Sequence, residues 1–174
     1  MIKLWGRTNS LNVQKVLFCL GELGLPFERV DAGMQFGVVK TPEYMAKNPN
    51  SVVPTLEEDG FVLWESNAIV RYLASTHGAG ALWPTDPRAR ALADRWMDWQ
   101  QTSHNAMDIL EEALARSPWL GGEAFTMAEC VLAPGVHRYL HLPMERKPRP
   151  HLARWYEAVL QRPVAKQVLL LPLT

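Results

Sequence analysis

Two short stretches carry side chains that could do chemistry together. In LWES, residues 63–66, a carboxylate (Glu65) and a hydroxyl (Ser66) stand side by side where an apolar strand pattern turns into a helical one. A helix start exposes N–H groups that have no partner within the helix and carries a partial positive charge, so the junction suits a carboxylate ligand. In RTNSLN, residues 7–12, the loop after the first apolar run leads into another helix. The N–H groups at that helix start, the Ser10 hydroxyl and the Asn12 amide can each donate a hydrogen bond to an anion. The competing reading is that Ser10 simply caps that helix. A third feature is Val53-Pro54 at the opening of another strand, where the proline is either a plain trans residue or a cis one.

Other candidates carry less. His137 and His141 are four residues apart, but no HExxH motif and no third ligand accompany them, so they read as helix surface or packing. No metal is expected. Cys19 and Cys130 form no CxxC pair and read as buried thiols in a reducing compartment, with Cys19 in the core of its helix. The 18 basic and 18 acidic residues give a net charge of zero, which argues against a nucleic-acid or anionic membrane partner. Arg146, Lys147 and Arg149 are interleaved with prolines and read as a solvated loop. No signal peptide precedes the first strand, and the apolar VLLLPL run is shorter than the about 20 residues that cross a bilayer. A cytoplasmic location is the expectation.

The elements that position these residues follow from periodicity. IKLWG is a short buried strand, and apolar residues then recur at helical spacing from Leu11 to Leu23 until Gly24. PFERVDA is a second strand, so the start is a parallel β-α-β unit. A glycine- and proline-punctuated segment holds a short helix near Pro42–Ala46. Asp59-Gly60 then joins two strands in a hairpin, and Ser66 caps the helix that follows. Beyond residues 77–87, rich in Gly, Pro, Thr and Asp, there is no strand signal. Residues 88–116 lack glycine and proline and carry Leu92, Trp96, Trp99, Met107, Leu110 and Leu114 at helical spacing. Thr126-Met127-Ala128-Glu129 is a capping box opening another helix, which Pro134 should distort. HLARWYEAVLQ is a last amphipathic helix.

In GRTNSLNVQKV, NPNSVVPTL, LWESNAIVRYLA and PWLGGEAFTMAE, the sequence resembles the cytosolic glutathione S-transferases, in particular bacterial members whose first loop carries Ser-x-Asn. The motifs cover most of the chain in family order. The resemblance implies an α/β thioredoxin-like N-terminal domain (β-α-β-α-β-β-α) over 1–76, a linker over 77–87 and an all-α C-terminal bundle over 88–174. It implies a transferase that conjugates the glutathione thiolate to electrophilic small molecules. A glutathione-dependent disulfide reductase or peroxidase, or a non-catalytic binding or regulatory module, stays open beside it. Glutathione is the implied co-substrate. Glu65 would take its α-ammonium, Ser66 its α-carboxylate, and the Val53 backbone, turned outward by a cis Pro54, its cysteinyl unit. Lys40 or Gln35 would meet the glycine carboxylate. Ser10 or Asn12 would stabilise the thiolate. Arg7, His104, Met107 and Asp108 would shape the pocket for the second substrate.

Against the family pattern, the α half is short. One uninterrupted helix over 88–116, about 40 Å long at 1.5 Å per residue, stands where two long helices are usual, as if joined near Asp108–Ile109. A homodimer is implied nevertheless, because Trp96, Trp99 and Met107 need burial somewhere.

Overall fold

The computed structural model describes residues 1–102 and 107–170. Four strands, β1 (Ile2–Trp5), β2 (Phe27–Val30), β3 (Thr55–Glu58) and β4 (Phe61–Trp64), form one mixed sheet in the order β2-β1-β3-β4. β1 and β2 are parallel, joined through α1 (Leu11–Glu22), while β3 runs antiparallel to both β1 and β4. The β3–β4 turn puts Asp59 at φ 49° and Gly60 at φ 88°. Two successive positive φ values match the right-handed twist of a hairpin, which is why Asp-Gly serves there. A short helix, α2 (Pro42–Met45), starts where the Thr41 hydroxyl accepts the Tyr44 N–H at 3.3 Å.

α3 (Ser66–His77) leaves β4 directly. Here the expected cap is corrected: Glu65, at φ 72° and ψ 110°, is the N-cap, and Ser66 is the first helical residue. The chain turns sharply enough at Glu65 that helical geometry already holds at Ser66. The consequence is that Ser66 is buried within the first turn, while Glu65 stays exposed above it.

The second half is helical: α4 (Pro87–Thr102), α5 (Met107–Leu114), α6 (Met127–His141), α7 (Pro150–Leu160) and α8 (Pro163–Leu169). Of the helix expected over 88–116, α4 and α5 are the described parts, and residues 103–106 between them lie outside the described residues. α5 is held by tertiary contacts that local sequence does not announce. Met107, Leu110 and Leu114 are buried, and the Glu111 carboxylate accepts the N–H groups of His151 and Leu152 at 3.1 and 2.8 Å, capping α7 from another helix. Asp108 pairs with Lys147 and Arg149.

α6 is the central helix, packed on α1, α3, α4 and α7, with every residue from Met127 to Pro134 buried. It runs through Pro134 to His141. Its start is the full capping box. The Glu129 carboxylate accepts the N–H groups of Thr126 and Leu120 at 2.7 and 2.6 Å, and Thr126 Oγ1 accepts the Ala128 N–H. His137 is buried, with Nδ1 at 2.5 Å from the Tyr156 hydroxyl, and burial pulls its pKa down to about 4. Burial also raises the Cys130 thiol well above its ordinary range, beside the thiol of Cys19, and both cysteines are free.

The aromatic residues on α4 do not wait for a partner chain. Trp96 is 5% exposed, donates its Nε1–H to the Leu120 carbonyl at 2.8 Å and meets Trp99 edge to face. With Met107 also buried, the argument that these residues require a dimer fails.

Candidate active site

The register of the sheet gathers the candidate residues. Trp5 lies opposite Thr55, and Thr55 lies opposite Trp64. One row across three strands therefore ends β1, begins β3 and ends β4. The first loop, Val53-Pro54 and Glu65-Ser66 all leave the sheet from that edge. The Val53–Pro54 peptide is cis, and both residues are buried. Gly33, at φ 84°, lets the first loop close over them: a Cβ there would lie 3.1 Å from Arg7 Nη1 and 3.5 Å from the Val53 methyls.

Ser10 is 7% exposed and is the N-cap of α1 with extended backbone (φ −77°, ψ 125°), yet its side chain makes no cap hydrogen bond. The capping role that competes for this hydroxyl is not filled. Asn12, one residue into the helix, is exposed. Lys40 lies at the exposed turn before α2, and Gln35 is likewise exposed, so neither is held in place by its surroundings.

Beneath Glu65 and Ser66 sits a group the sequence did not single out. Lys15, on α1, is 2% exposed; its Nζ donates to Gln100 Oε1 at 2.6 Å and to Asn67 Oδ1 at 3.3 Å. Asn67 in turn donates to the Met97 carbonyl at 2.5 Å. One buried network thus ties α1, the first turn of α3 and α4 together. Burial pulls the Lys15 pKa down to about 8, and the Glu65 carboxylate pulls it partly back up. A lysine inside an apolar helical pattern gives no signal that its ammonium is buried rather than reaching solvent.

Next to the first loop a cavity of about 590 Å³ opens, lined on its apolar side by Leu11, Met107, Leu110, Leu132 and Val136. Of the residues expected to shape the second-substrate pocket, Met107 lines this cavity. Asp108 sits at its margin, paired with Lys147 and Arg149, which do line it. Arg7 stands across the first loop, and His104 falls outside the described residues. Arg138, which sequence reading missed, lines the cavity and donates to the Asn9 carbonyl at 2.6 Å. The arrangement can hold a peptide-like zwitterion at the sheet edge, place an anion at the α1 start, and offer an apolar body a place beside it. Among the described residues no group of three or more His, Cys, Asp or Glu could hold a metal ion. No helix among them is long and apolar enough to cross a membrane.

Residues 1–75 match the family model "Glutathione S-transferase, N-terminal domain", and residues 87–158 match "Glutathione S-transferase, C-terminal domain". The chain is 37% identical to the glutathione S-transferase GstB of Escherichia coli (strain K12), with 100% of both chains covered. That alignment spans 208 positions, 34 more than the 174 residues here. Identity to glutathione S-transferase 3 of Zea mays is 30%, over 99% of this chain and 95% of the other. Among solved structures, the theta class glutathione S-transferase from Xanthomonas axonopodis pv. citri with glutathione bound superposes with a TM-score of 0.95 at 36% identity, covering 99% of each chain.

Proposed function

The chain belongs to the glutathione S-transferase family, and we propose that its glutathione lies along the edge where β1, β3 and β4 end together. It is a transferase with glutathione as co-substrate. The observation that carries the site assignment is the register row Trp5–Thr55–Trp64, which brings the first loop, Val53 and Glu65-Ser66 to one edge. The Val53 backbone pairs with the cysteinyl unit as an added strand would. Ser66, with the free N–H groups of the first α3 turn, takes the α-carboxylate, and Glu65 takes the α-ammonium. Lys40, or Gln35 in the same segment between β2 and β3, meets the glycine carboxylate.

The reacting thiol then falls at the start of α1. An ordinary thiol titrates near about 8.5, and only the thiolate is an effective nucleophile. The Ser10 hydroxyl, with no cap bond to make, donates to sulfur, and the helix N-terminus adds its partial positive charge. Asn12 is the alternative donor. The thiolate attacks an electrophilic carbon held in the apolar cavity, and the leaving group departs with the bond's electron pair. Steady-state assays with a chlorinated aromatic, an organic peroxide and a mixed disulfide test the reaction. Conjugation of the aromatic is expected to dominate; turnover of the disulfide alone would replace the transfer reaction with reduction.

The subunits pair as a two-fold homodimer in a reducing cytoplasm. Support for the pairing comes from apolar side chains left exposed on the edge strand and the first long helix, namely Phe61 and Trp64 on β4 and Leu92 on α4. Light scattering at micromolar concentration reads this directly: a well-behaved species at the mass of one chain removes the dimer.

A further inference from the structure

Arg7 and Arg138 face each other across the first loop, and neither is ion-paired with any carboxylate among the described residues. Each keeps a buried Nε with no hydrogen-bond partner. Arg138 uses one Nη on the Asn9 carbonyl, and the Arg7 guanidinium packs beside Gly33 and Val53. Burial, and then the charge of Arg7, lower the Arg138 pKa, as two like charges brought together out of water must. Such a pair is unfavourable unless an anion lies between them. Arg146 adds to the imbalance: it lines the same cavity and donates to the carbonyls of Tyr139, Leu142 and Met144, with no carboxylate paired to it among the described residues. Among the described residues lining the cavity, Glu145 is the one acid set against these cations; Lys147 and Arg149 already share Asp108.

We propose that Arg7 and Arg138 form a carboxylate clamp at the mouth of the cavity, so that this transferase selects electrophiles whose apolar body carries an anionic group. The inference rests on the reading that glutathione binds at the sheet edge with its thiol at the start of α1. Arg138 lines the cavity and holds the first loop at the Asn9 carbonyl, and Arg7 stands in the same loop beside Gly33 on the glutathione side, so a group bound by both sits between the thiolate and the apolar lining. The outer Nη–H groups of a guanidinium can meet a carboxylate with parallel hydrogen bonds, while both Nε–H groups are buried beside protein atoms with no partner of their own. For a chloronitrobenzoate, the sulfur of glutathione bonds to the ring carbon that bears chlorine. Chloride leaves with the C–Cl electron pair, and the carboxylate stays in the clamp unchanged. No oxidant or reductant is needed.

The test compares a chloronitrobenzoate with its methyl ester in the full chain, with each rate corrected for the uncatalysed reaction with glutathione. The acid is expected to show a KM about tenfold below that of the ester, the size of one charge-assisted hydrogen bond. Raising ionic strength should narrow that preference. Arg7→Met and Arg138→Met should each erase most of it, and Arg138→Lys should keep part of it. Unsubstituted benzoate should inhibit ester conjugation competitively in the unaltered protein, which gives an answer that needs no variant to fold. Equal KM values for acid and ester, or no inhibition by benzoate, overturn the clamp while leaving the transferase reading intact. Variants that slow acid and ester equally also overturn it, because the arginines then act on the thiolate. If glutathione fails to bind in calorimetry, the site reading beneath the proposal is what fails.

Discussion

Replacing Lys15 with methionine keeps the length of the side chain and removes the charge. The ammonium is 2% exposed and its pKa falls from 10.5 to about 8 through burial, against the pull of Glu65. Between those two values the folded chain holds fewer protons at this site than the unfolded chain. The burial penalty is therefore fully present below pH about 8, shrinks as pH rises and is gone above the unfolded value. At about 1.4 kcal/mol for each tenfold change, it amounts to roughly 3 kcal/mol. The methionine variant escapes that penalty but leaves Gln100 Oε1 and Asn67 Oδ1 without their donor, at about 1–3 kcal/mol each. At neutral pH the two effects offset, and the variant and the parent should differ little. Near pH 9.5 the parent should have gained about 2 kcal/mol that the variant cannot gain. Urea unfolding followed by tryptophan fluorescence at both pH values measures the difference. Parallel behaviour of the two proteins across that range would refute the reasoning, because it would mean that Lys15 is solvated in the folded chain.

Two further outcomes follow from the hydrogen-bond geometry. Ser66→Ala should weaken glutathione binding by about 1–3 kcal/mol in calorimetry, the range for losing a hydrogen bond to a charged group, and an unchanged affinity would take Ser66 out of the site. Glu129→Ala should lower stability by roughly 3–5 kcal/mol in denaturant unfolding, since it leaves the buried N–H groups of Leu120 and Thr126 with no acceptor; a loss under 1 kcal/mol would mean that other groups already serve them.

What could be read from the sequence was local. Asp59-Gly60 announced the hairpin because both positions need positive φ. Thr126 and Glu129 announced the start of α6 because a capping box is complete within four residues. Glu65-Ser66 and Val53-Pro54 were visible for the same reason, as short patterns at element boundaries. What escaped depends on distant partners. The contact of α5 with α7 is one such case: Glu111 accepts N–H groups at the start of a helix some forty residues on. Serine favours the cap position, which points to Ser66; the unusual backbone at Glu65 moves the cap back by one. Lys15 and Arg138 were missed because what they face is set by the packing of α1, α4 and α6. Arg138 meets the carbonyl of a residue 129 positions away.

The central claim is that this chain binds glutathione with its sulfur at the start of α1 and makes it a thiolate there. Titrating the ultraviolet absorbance of the thiolate, with glutathione bound, tests that most directly. The predicted result is a bound thiol that ionises at least about one pH unit below the free value near 8.5. Ser10→Ala should move that ionisation back toward the free value; if Asn12→Ala moves it instead, the donor is Asn12. A bound thiol that titrates together with free glutathione would contradict the account, whatever conjugation rate the protein shows.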